Sequence, residues 1–166
     1  MGQQIVKQTA YILRTCRADM TSYDGFVWPK EGHVAAPDWK PTKECGNGLH
    51  GFLNGEGHGR LANWSPDAVW IVARIEEHID LGGKVKFPEA WVEFCGDRKA
   101  ATDYLMSLGI NGAIVGCYKT SGDGSTVTSG DRSTVTSGDR STVTSGDDST
   151  VTSGYRSTVT SGDRST

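Results

Sequence analysis

The sequence predicts an α+β head with a small, mostly antiparallel sheet, followed by a short β-solenoid built from octapeptide repeats. Three observations predict this arrangement. All five Trp and all four Cys residues lie before residue 120, an eight-residue repeat fills residues 120–166, and the apolar run VWIVARIE at 69–76 is typical of a buried strand. We therefore divide the chain into a head, residues 1–119, and a repeat tail, residues 120–166.

The tail consists of octads of the form TSGDRSTV, with TSGDGSTV at 120–127 and an incomplete copy at 160–166. In each octad the β-branched Thr-Val-Thr segment favours a strand with Val on one side and both Thr on the other. Ser-Gly-Asp favours a corner, because Gly accepts a positive φ. Two octads per coil predict about three coils, roughly 5 Å apart. The interior is then lined by Val127, Val135, Val143, Val151 and Val159, and the corners by the glycines from Gly122 to Gly162.

The octad resembles the repeats of bacterial ice-nucleation proteins, with their consensus of the Ala-Gly-Tyr-Gly-Ser-Thr-x-Thr kind. The matching elements are Ser-Gly-Asp/Tyr-x-Ser-Thr-Val-Thr across residues 120–166. The resemblance implies a stacked β-solenoid, and an outward array of pairs such as Thr126 and Thr128 would order water on a flat face. About three coils offer a small surface, and Asp and Arg interrupt the octads, so an ice- or water-ordering role is an alternative interpretation here.

The last coil of a solenoid exposes an unpaired strand edge, which is a template for another chain. We therefore expect self-association through the tail, with Tyr155, Val159 and Thr160 at the interface. Tyr155 replaces the Asp of the other octads, and it would stack on its equivalent or be a neutral surface substitution.

In the head, residues 5–13, 84–87 and 91–95 are predicted strands in addition to 69–76, with a turn at 81–83. Residues 15–41 are expected to be irregular. Asp97 is a candidate N-cap for a helix over about residues 98–108, which Gly109 ends. Residues 112–116 then lead into the first coil, so that this part of the head seals one end of the solenoid.

The segment 44–64, ECGNGLHGFLNGEGHGRLANW, is a long loop dense in Gly and His, as ligand-binding loops often are. Cys45, His50 and His58 are permitted zinc ligands, and Cys16 or Cys95 would complete a tetrahedral site, although the spacing matches no common one. A Cys45 nucleophile with His50 or His58 as its base is a second hypothesis. Buried thiols and hydrogen-bonded loop histidines are the structural alternative.

A third hypothesis comes from a loose resemblance of Gly48-Leu49-His50-Gly51, followed by strands that end near Glu93, to ADP-ribosyltransferase-like folds. The resemblance implies an NAD-using enzyme in which His50 holds the nicotinamide ribose and Glu93 polarises its hydroxyl. The Arg or Ser-Thr-Ser element that such enzymes often carry is absent from the matching position.

The head also resembles a family of uncharacterised proteins from bacteriophages and prophages over residues 10–97. The shared motifs include Glu44-Cys45-Gly46-Asn47-Gly48-Leu49-His50-Gly51 and Asp80-Leu81-Gly82-Gly83-Lys84-Val85-Lys86-Phe87-Pro88. The resemblance implies a phage origin and this architecture, and it supplies no activity. For a small phage-encoded protein without a recognisable catalytic constellation we expect a non-enzymatic binder of a host protein or a small ligand, with inhibition of host defence as one role. This interpretation places Trp28, Trp39 and Trp64, partly exposed, around one binding surface together with Cys45, His50 and His58.

Composition excludes several classes of protein. The net charge of −3 disfavours nucleic-acid binding through a broad cationic surface. No stretch reaches the roughly 18 uninterrupted apolar residues that span a membrane, and the N-terminus lacks the apolar core of a secretory signal. The four Cys residues form no CxxC pair, which favours free thiols. We expect a cytoplasmic protein, in the host cytoplasm if phage-encoded, with no membrane partner and no cofactor.

Overall fold

The head is built on a six-stranded antiparallel sheet with the strand order β1-β3-β5-β4-β6-β2, where the strands are numbered along the chain. The computed structural model describes residues 5–166. The strands are β1 (Val6–Cys16), β2 (Gly32–Ala35), β3 (Leu49–Leu53), β4 (Val69–Asp80), β5 (Val85–Phe87) and β6 (Glu89–Gly96). A 3-10 turn, Gly59–Leu61, precedes β4, and one helix, α1 (Arg98–Ser107), follows β6. The fold is therefore mostly β, with less helix than the predicted α+β class implies.

Four of the head strands form a closed ring of pairings. β1 pairs with β3 and with β4, so that Ile12 has both Leu53 and Ala73 as partners. β5 pairs with β3 and with the end of β4. β6 then extends the sheet from β4, and β2 forms the edge beside β6. The closure leaves β2 as the exposed edge strand of the head. β2 is only four residues long, and edge strands are often short.

Alternation along the strands divides the head into two apolar clusters. Ile12 packs with Ile71, Ile75 and Phe87 on one side, whereas its neighbour Leu13 packs on the other side against α1. The second cluster contains Ala101 and Leu105 of α1 together with Val72, Ile114, Val115 and Cys117. Burial of side chains of this size stabilises a fold by about 1.5–3 kcal/mol each.

The predicted helix is present, and its ends have the predicted causes. The Ala100 backbone N–H donates to the Asp97 carboxylate at 2.8 Å, which satisfies one of the free donors of the first turn. Gly109 follows the helix with φ +87°, a conformation that favours glycine. The strands at 69–76, 84–87 and 91–95 are present with shifted bounds, whereas β2 and β3 lie where the sequence predicts irregular chain.

The tail forms two three-stranded parallel sheets that face each other across a narrow interior. One contains β7 (Tyr118–Ser121), β9 (Thr134–Ser137) and β11 (Thr150–Ser153). The other contains β8 (Thr126–Thr128), β10 (Thr142–Ser145) and β12 (Thr158–Ser161). Partners are sixteen residues apart, as in Val127 opposite Val143 and Val143 opposite Val159. The two-octads-per-coil arrangement and the three coils agree with the sequence prediction.

Valine fills the tail interior near the head, but not at the far end. Val127, Val135 and Val143 are 7%, 1% and 0% exposed, whereas Val151 is half-buried and Val159 is 42% exposed. Buried serines complete the interior. The hydroxyls of Ser133, Ser141 and Ser149 donate to backbone carbonyls of the preceding layer, whereas within residues 5–166 those of Ser129, Ser137 and Ser145 have no hydrogen-bond partner. Ser149, for example, donates its hydroxyl to the Gly130 carbonyl at 3.3 Å and accepts from the Ser133 backbone N–H at 3.3 Å. The set of interior serines that contains Ser149 is thus paired between layers, as buried polar groups usually are.

The corner geometry differs from the sequence prediction. The positive φ falls on the residue after the Asp position, from Gly124 (+68°) to Arg132 (+54°) and Arg164 (+56°), and not on the octad glycines. Those glycines are needed for space, because a Cβ on Gly138 would lie 2.1 Å from the Asp123 carboxylate of the neighbouring coil. Asp123 in turn accepts a hydrogen bond from the Asp139 backbone N–H at 2.8 Å. Glycine therefore permits the contact that joins successive coils.

An ion-pair column explains the one octad with Asp at its fifth position. Asp148 lies between Arg132 and Arg164, one coil away on either side. The Arg164 Nε lies 2.7 Å from one carboxylate oxygen, and the Arg132 Nε lies 3.6 Å from the other. The hydrogen bond from Arg164 holds the pKa of Asp148 below its ordinary value. The acidic residue thus separates two cations that would otherwise stack.

The head covers the first coil, as the sequence predicts. Gly116 N–H donates to the Asp131 carbonyl at 2.8 Å, and Gly130 N–H donates to the Ile114 carbonyl at 3.1 Å. The Asp131 carboxylate also accepts from the Gly59 backbone N–H at 2.8 Å. The polar backbone of the first coil is therefore paired with the head. Within residues 5–166, no helix has the length and apolar character to cross a membrane.

The glycine contact gives a prediction for stability. Gly138→Ala should lower the free energy of unfolding by about 1–3 kcal/mol, because the new methyl group overlaps the Asp123 carboxylate and backbone. Gly122→Ala is the matched control, since nothing lies within 4 Å of its Cβ position. Urea unfolding followed by circular dichroism measures both. Equal free energies of unfolding for the two variants would show that the contact between coils does not require glycine at position 138.

Candidate functional site

The outer faces of the tail carry a regular array of threonines. We call the face of β8, β10 and β12 the β8 face, and it exposes Thr126, Thr128, Thr142, Thr144, Thr158 and Thr160. On the opposite face, formed by β7, β9 and β11, Thr134 is half-buried and Tyr118 occupies the first position. Neighbouring threonines on the β8 face are about 4.8 Å apart between strands and about 6.6 Å apart along a strand. The β8 face is therefore the more regular polar surface.

Charged residues do not interrupt these faces, contrary to the expectation from the octad sequence. The Asp and the residue that follows it occupy the turn between strands, as in Asp131-Arg132 and Asp139-Arg140. The strands themselves contain only Thr, Val and Ser from β8 onward. Each Thr presents a hydroxyl and a methyl group on a side chain with a restricted χ1. The β8 face is therefore a surface of hydroxyl and methyl groups at regular positions.

The head contains a second candidate site, a cavity of about 470 Å³ that we call the head cavity. Its lining combines charged and polar groups, including Arg14, His50, Cys45 and Lys84, with a wall of apolar side chains. That wall includes Leu13, Phe26, Trp28, Leu49 and Phe52. A mostly apolar pocket of this size with a few polar groups is typical of small-molecule sites.

Arg14 and Trp28 are stacked in the lining of the head cavity. The guanidinium carbon of Arg14 lies 4.1 Å from the centre of the Trp28 ring. The terminal nitrogens of Arg14 donate to the His50 carbonyl at 3.1 Å and to the Thr15 carbonyl at 3.3 Å. Burial lowers the pKa of Arg14 from its ordinary value, with opposing contributions from Cys16 and Asp24. The side chain is thus held in place by backbone and by an aromatic face.

His50 is held in its neutral form. Burial, followed by the positive charges of Lys84, Arg14 and Lys86, lowers its pKa to about 4, against a small opposing effect of Asp38. Its Nε2 accepts a weak hydrogen bond from the Gly46 backbone N–H at 3.4 Å. Local charge around His50 is therefore predominantly positive.

The predicted ligands of a metal are only partly brought together. Cys45 and His50 both line the head cavity, whereas His58 is exposed outside it, with its backbone N–H bonded to the Gly83 carbonyl at 3.0 Å. Cys45 lies 3.1 Å from the Lys84 Nζ. No group of three or more His, Cys, Asp or Glu side chains within residues 5–166 is arranged to hold a metal ion. The geometry therefore does not favour zinc.

The three tryptophans predicted to surround one binding surface lie in different places. Trp28 is 1% exposed in the wall of the head cavity. Trp39 is half-buried, with the Lys86 Nζ 5.7 Å from its ring centre. Trp64 lines a separate pocket beside Trp70 and donates its indole N–H to the Gly59 carbonyl at 2.8 Å. Trp28 alone contributes to the head cavity, and the sequence did not indicate its partner Arg14.

His50 and Glu93 are not neighbours in the sheet. β1 and β4 lie between β3, which carries His50, and β6, which carries Glu93. Along the sheet, the two strands are three spacings apart, a path of about 14 Å. Glu93 instead contacts Arg74 at 3.6 Å and the Tyr104 hydroxyl at 3.2 Å. The arrangement does not provide the shared NAD site that the ADP-ribosyltransferase resemblance implies.

The residues predicted at a tail interface are accessible on the last coil. Tyr155 is 70% exposed, with the Arg156 guanidinium 5.2 Å from its ring centre, and Val159 and Thr160 lie on the exposed strand β12. The Tyr155 backbone N–H still donates to the Asp139 carboxylate at 2.7 Å. The substitution therefore changes the surface and not the coil contact.

Comparison with known families assigns most of the head to a family. Residues 10–105 match a family model described as a domain of unknown function, DUF7666. The match covers more than half of the chain, and the chain belongs to this family. The matched range includes most of the head motifs that resemble an uncharacterised family.

Ice nucleation proteins are the curated relatives found. One from Xanthomonas campestris pv. translucens is 40% identical over 99 residues, which is 57% of this chain and 6% of that protein. Ice nucleation protein InaU from Pantoea ananas is 35% identical over 99 residues, 57% of this chain and 10% of that protein. One from Pseudomonas syringae is 35% identical over 102 residues, 59% of this chain and 9% of that protein. The aligned part thus spans a tenth or less of these relatives.

No solved structure matches this chain. The family and the relatives above do not connect the chain with bacteriophages, so the phage origin and the host-binding interpretation that rests on it gain no support. The alternative interpretation, an ice- or water-ordering repeat protein, is the one that the names of the relatives favour.

The shifted pKa of His50 gives a pH prediction. Because the pKa of His50 in the folded chain, about 4, is below its ordinary value of 6.5, the unfolded chain binds more protons between these values. Stability should therefore fall as the pH falls from about 6.5 to about 4, and this part of the loss should be smaller in His50→Gln. His58→Gln, at an exposed histidine outside the cavity, is the control. Urea unfolding at a series of pH values tests this, and identical profiles for both variants would contradict it.

Proposed function

We propose that the tail is a short β-solenoid of octapeptide repeats whose β8 face orders water and binds ice. The observation that carries this proposal is the array of six exposed threonines in sixteen-residue register on one sheet. The names of the relatives support the same function, since they are ice nucleation proteins. The head covers one end of the array and leaves the face itself open.

The physical basis is the fixed position of the hydroxyl and methyl groups. A β-branched side chain on a paired strand has little rotamer freedom, so ordering water at its hydroxyl costs little additional side-chain entropy. The strands are in turn held by backbone pairing and by the serine contacts between coils, as in Ser141 N–H to the Ser157 hydroxyl at 3.2 Å. Water molecules bridging adjacent hydroxyls then adopt the spacing of the strands.

The size of the array limits the activity of one chain. Three strands with two threonines each cover about 10 Å by about 7 Å between outer atoms, which is a small surface. A single chain is therefore expected to bind the surface of existing ice, whereas starting a new crystal needs a larger array. The assay for one chain is accordingly the growth of an existing crystal.

The ice-binding proposal is tested on the central strand of each face. Thr142→Lys/Thr144→Lys on β10 should abolish the effect of the protein on ice crystal growth, because two long charged side chains break the array. Thr134→Lys/Thr136→Lys on β9 is the matched control on the opposite face and should retain the effect. Thermal hysteresis and crystal shape in a nanolitre osmometer measure both, with circular dichroism to check folding.

Two results would contradict the ice-binding proposal. One is a full-length chain that leaves crystal growth unchanged. The other is a folded β10 double variant that is as active as the unsubstituted chain. Loss of activity in the β9 variant alone would show that the opposite face, and not the β8 face, binds ice.

We propose in addition that copies of the chain associate through the exposed strand β12 and so enlarge the array. The support is the exposure of Val159 (42%) and Tyr155 (70%) on the last coil, where β12 pairs on one side only among residues 5–166. An unpaired edge of this kind offers free backbone donors and acceptors to a second strand.

Light scattering tests the self-association. The molar mass of the unsubstituted chain in solution should exceed that of a monomer. In Val159→Lys the molar mass should fall to that of the monomer, because a charge then lies at the pairing edge. Thr126→Lys, on the first coil of the same sheet, is the control and should leave the mass unchanged. A chain that is monomeric at the concentration of the ice assay would contradict self-association. The ice assay tests the β8 face separately, so the two proposals can fail independently.

A further inference from the structure

The head cavity contains two buried hydrogen-bond donors without an acceptor. Within residues 5–166, the Arg14 Nε and the Trp28 Nε1 are buried and have no hydrogen-bond partner. Both residues line the cavity, and Trp28 is 1% exposed. Buried donors in folded proteins are almost always paired, because an unpaired one loses its hydrogen bonds to water without compensation. Of the residues with such unpaired atoms within residues 5–166, Arg14 and Trp28 alone line the head cavity, which leaves room beside them for an acceptor from outside the chain.

The charge around the cavity favours an anionic acceptor. Among residues 5–166, Arg14 forms no ion pair with a carboxylate, and Lys84 also lines the cavity. Two carboxylates, Asp24 and Asp38, line it as well. After burial, the positive charges of Lys84, Arg14 and Lys86 each lower the pKa of His50 by more than Asp38 raises it. The charged groups around His50 are thus predominantly positive.

The rest of the lining fits an organic body and not a bare ion. Leu13, Phe26, Leu49 and Phe52 contribute apolar surface, and the volume of about 470 Å³ is in the range of cavities that enclose small organic molecules. Gly46, Asn47 and Gly48 form one border with backbone at positive φ, which brings the main chain close to the cavity. An inorganic ion alone would leave most of this apolar surface unfilled.

We propose that the head cavity binds a small organic anion with an apolar, ring-sized body. Its carboxylate or phosphate group accepts hydrogen bonds from Arg14 and from the Trp28 indole N–H, and its body contacts the apolar wall. Arginine is suited to this role, because its planar guanidinium matches both kinds of anionic group. The site is separate from the β8 face, so it adds a binding function to the head and does not depend on the ice-binding proposal.

The test compares ligands that share one body and differ in charge. Isothermal titration calorimetry of the full chain uses benzoate and phenyl phosphate as anions, benzamide as the neutral counterpart and benzylamine as the cation. At least one anion should bind with a Kd of about 1 mM or tighter, and benzamide and benzylamine should bind at least about tenfold more weakly. The comparison of benzoate with phenyl phosphate then distinguishes a carboxylate site from a phosphate site.

Variants identify the residues that hold the anionic group. Trp28→Phe keeps the apolar ring and removes the indole donor, so the Kd of the preferred anion should rise about threefold to tenfold. Trp64→Phe, in a separate pocket, is the matched control and should leave the Kd unchanged. Arg14→Gln should abolish the preference for anions. If that variant does not fold, Lys84→Gln at the half-buried edge of the cavity should weaken the anions and not benzamide.

The proposal is overturned if neither anion binds at about 10 mM, a concentration that would reveal a Kd near 1 mM. It is equally overturned if benzamide binds as well as the anions, or if Trp28→Phe and Trp64→Phe change the Kd to the same extent. Failure of the ice assay has no bearing on these results, because the β8 face and the head cavity share no residue.

Discussion

The sixteen-residue register between successive coils is the constraint on which the tail depends. At the corners, each Asp carboxylate accepts from the backbone of the coil that follows, as in Asp131 to the Asp147 N–H at 3.1 Å, and the octad glycine leaves room for it. Inside, serine hydroxyls bond between coils beside the valines. Because every coil repeats the same contacts, each outward Thr stands beside its equivalent in the next coil. The regular threonine array is thus a consequence of how the corners and the interior pack.

The head contributes the first layer of this stack. Cys117 is fully buried in the cluster that contains α1, and its sulfur lies 3.5 Å from the Ser133 hydroxyl of the tail. Burial raises the pKa of the Cys117 thiol, so the group is a small apolar filler at neutral pH. The buried thiol of Cys117 is therefore in direct contact with the first coil of the tail. The β8 face is left exposed by this arrangement, and so is the opening of the head cavity.

The glycine-rich segment at 44–64 shows why composition alone misleads about sites. Several of its glycines are required by packing: a Cβ on Gly57 would lie 2.3 Å from the Gly83 carbonyl, and one on Gly59 would lie 2.6 Å from Asp131. Only part of the segment, Cys45 to Phe52 together with Leu61 and Ala62, borders the head cavity. The same residue type thus serves close packing and cavity formation within twenty residues of chain. Sequence patterns report glycine in both cases and cannot separate them.

The sequence by itself determined the repeat, its two octads per coil, the outward threonines, the position of α1 and its Asp97 cap, because these depend on local alternation, capping and period. Only the tertiary structure decided the rest. The octad glycine is required by the contact between coils and not by the turn alone. The positive φ predicted for it from the sequence occurs instead at the residue after Asp. β3 formed in a segment rich in glycine because β1 and β5 supply its partners. His50 and Glu93 were separated by strand order, while Arg14 and Trp28, fourteen residues apart in sequence, were joined in one cavity by folding. Long-range pairing sets such neighbours, and no local pattern encodes them.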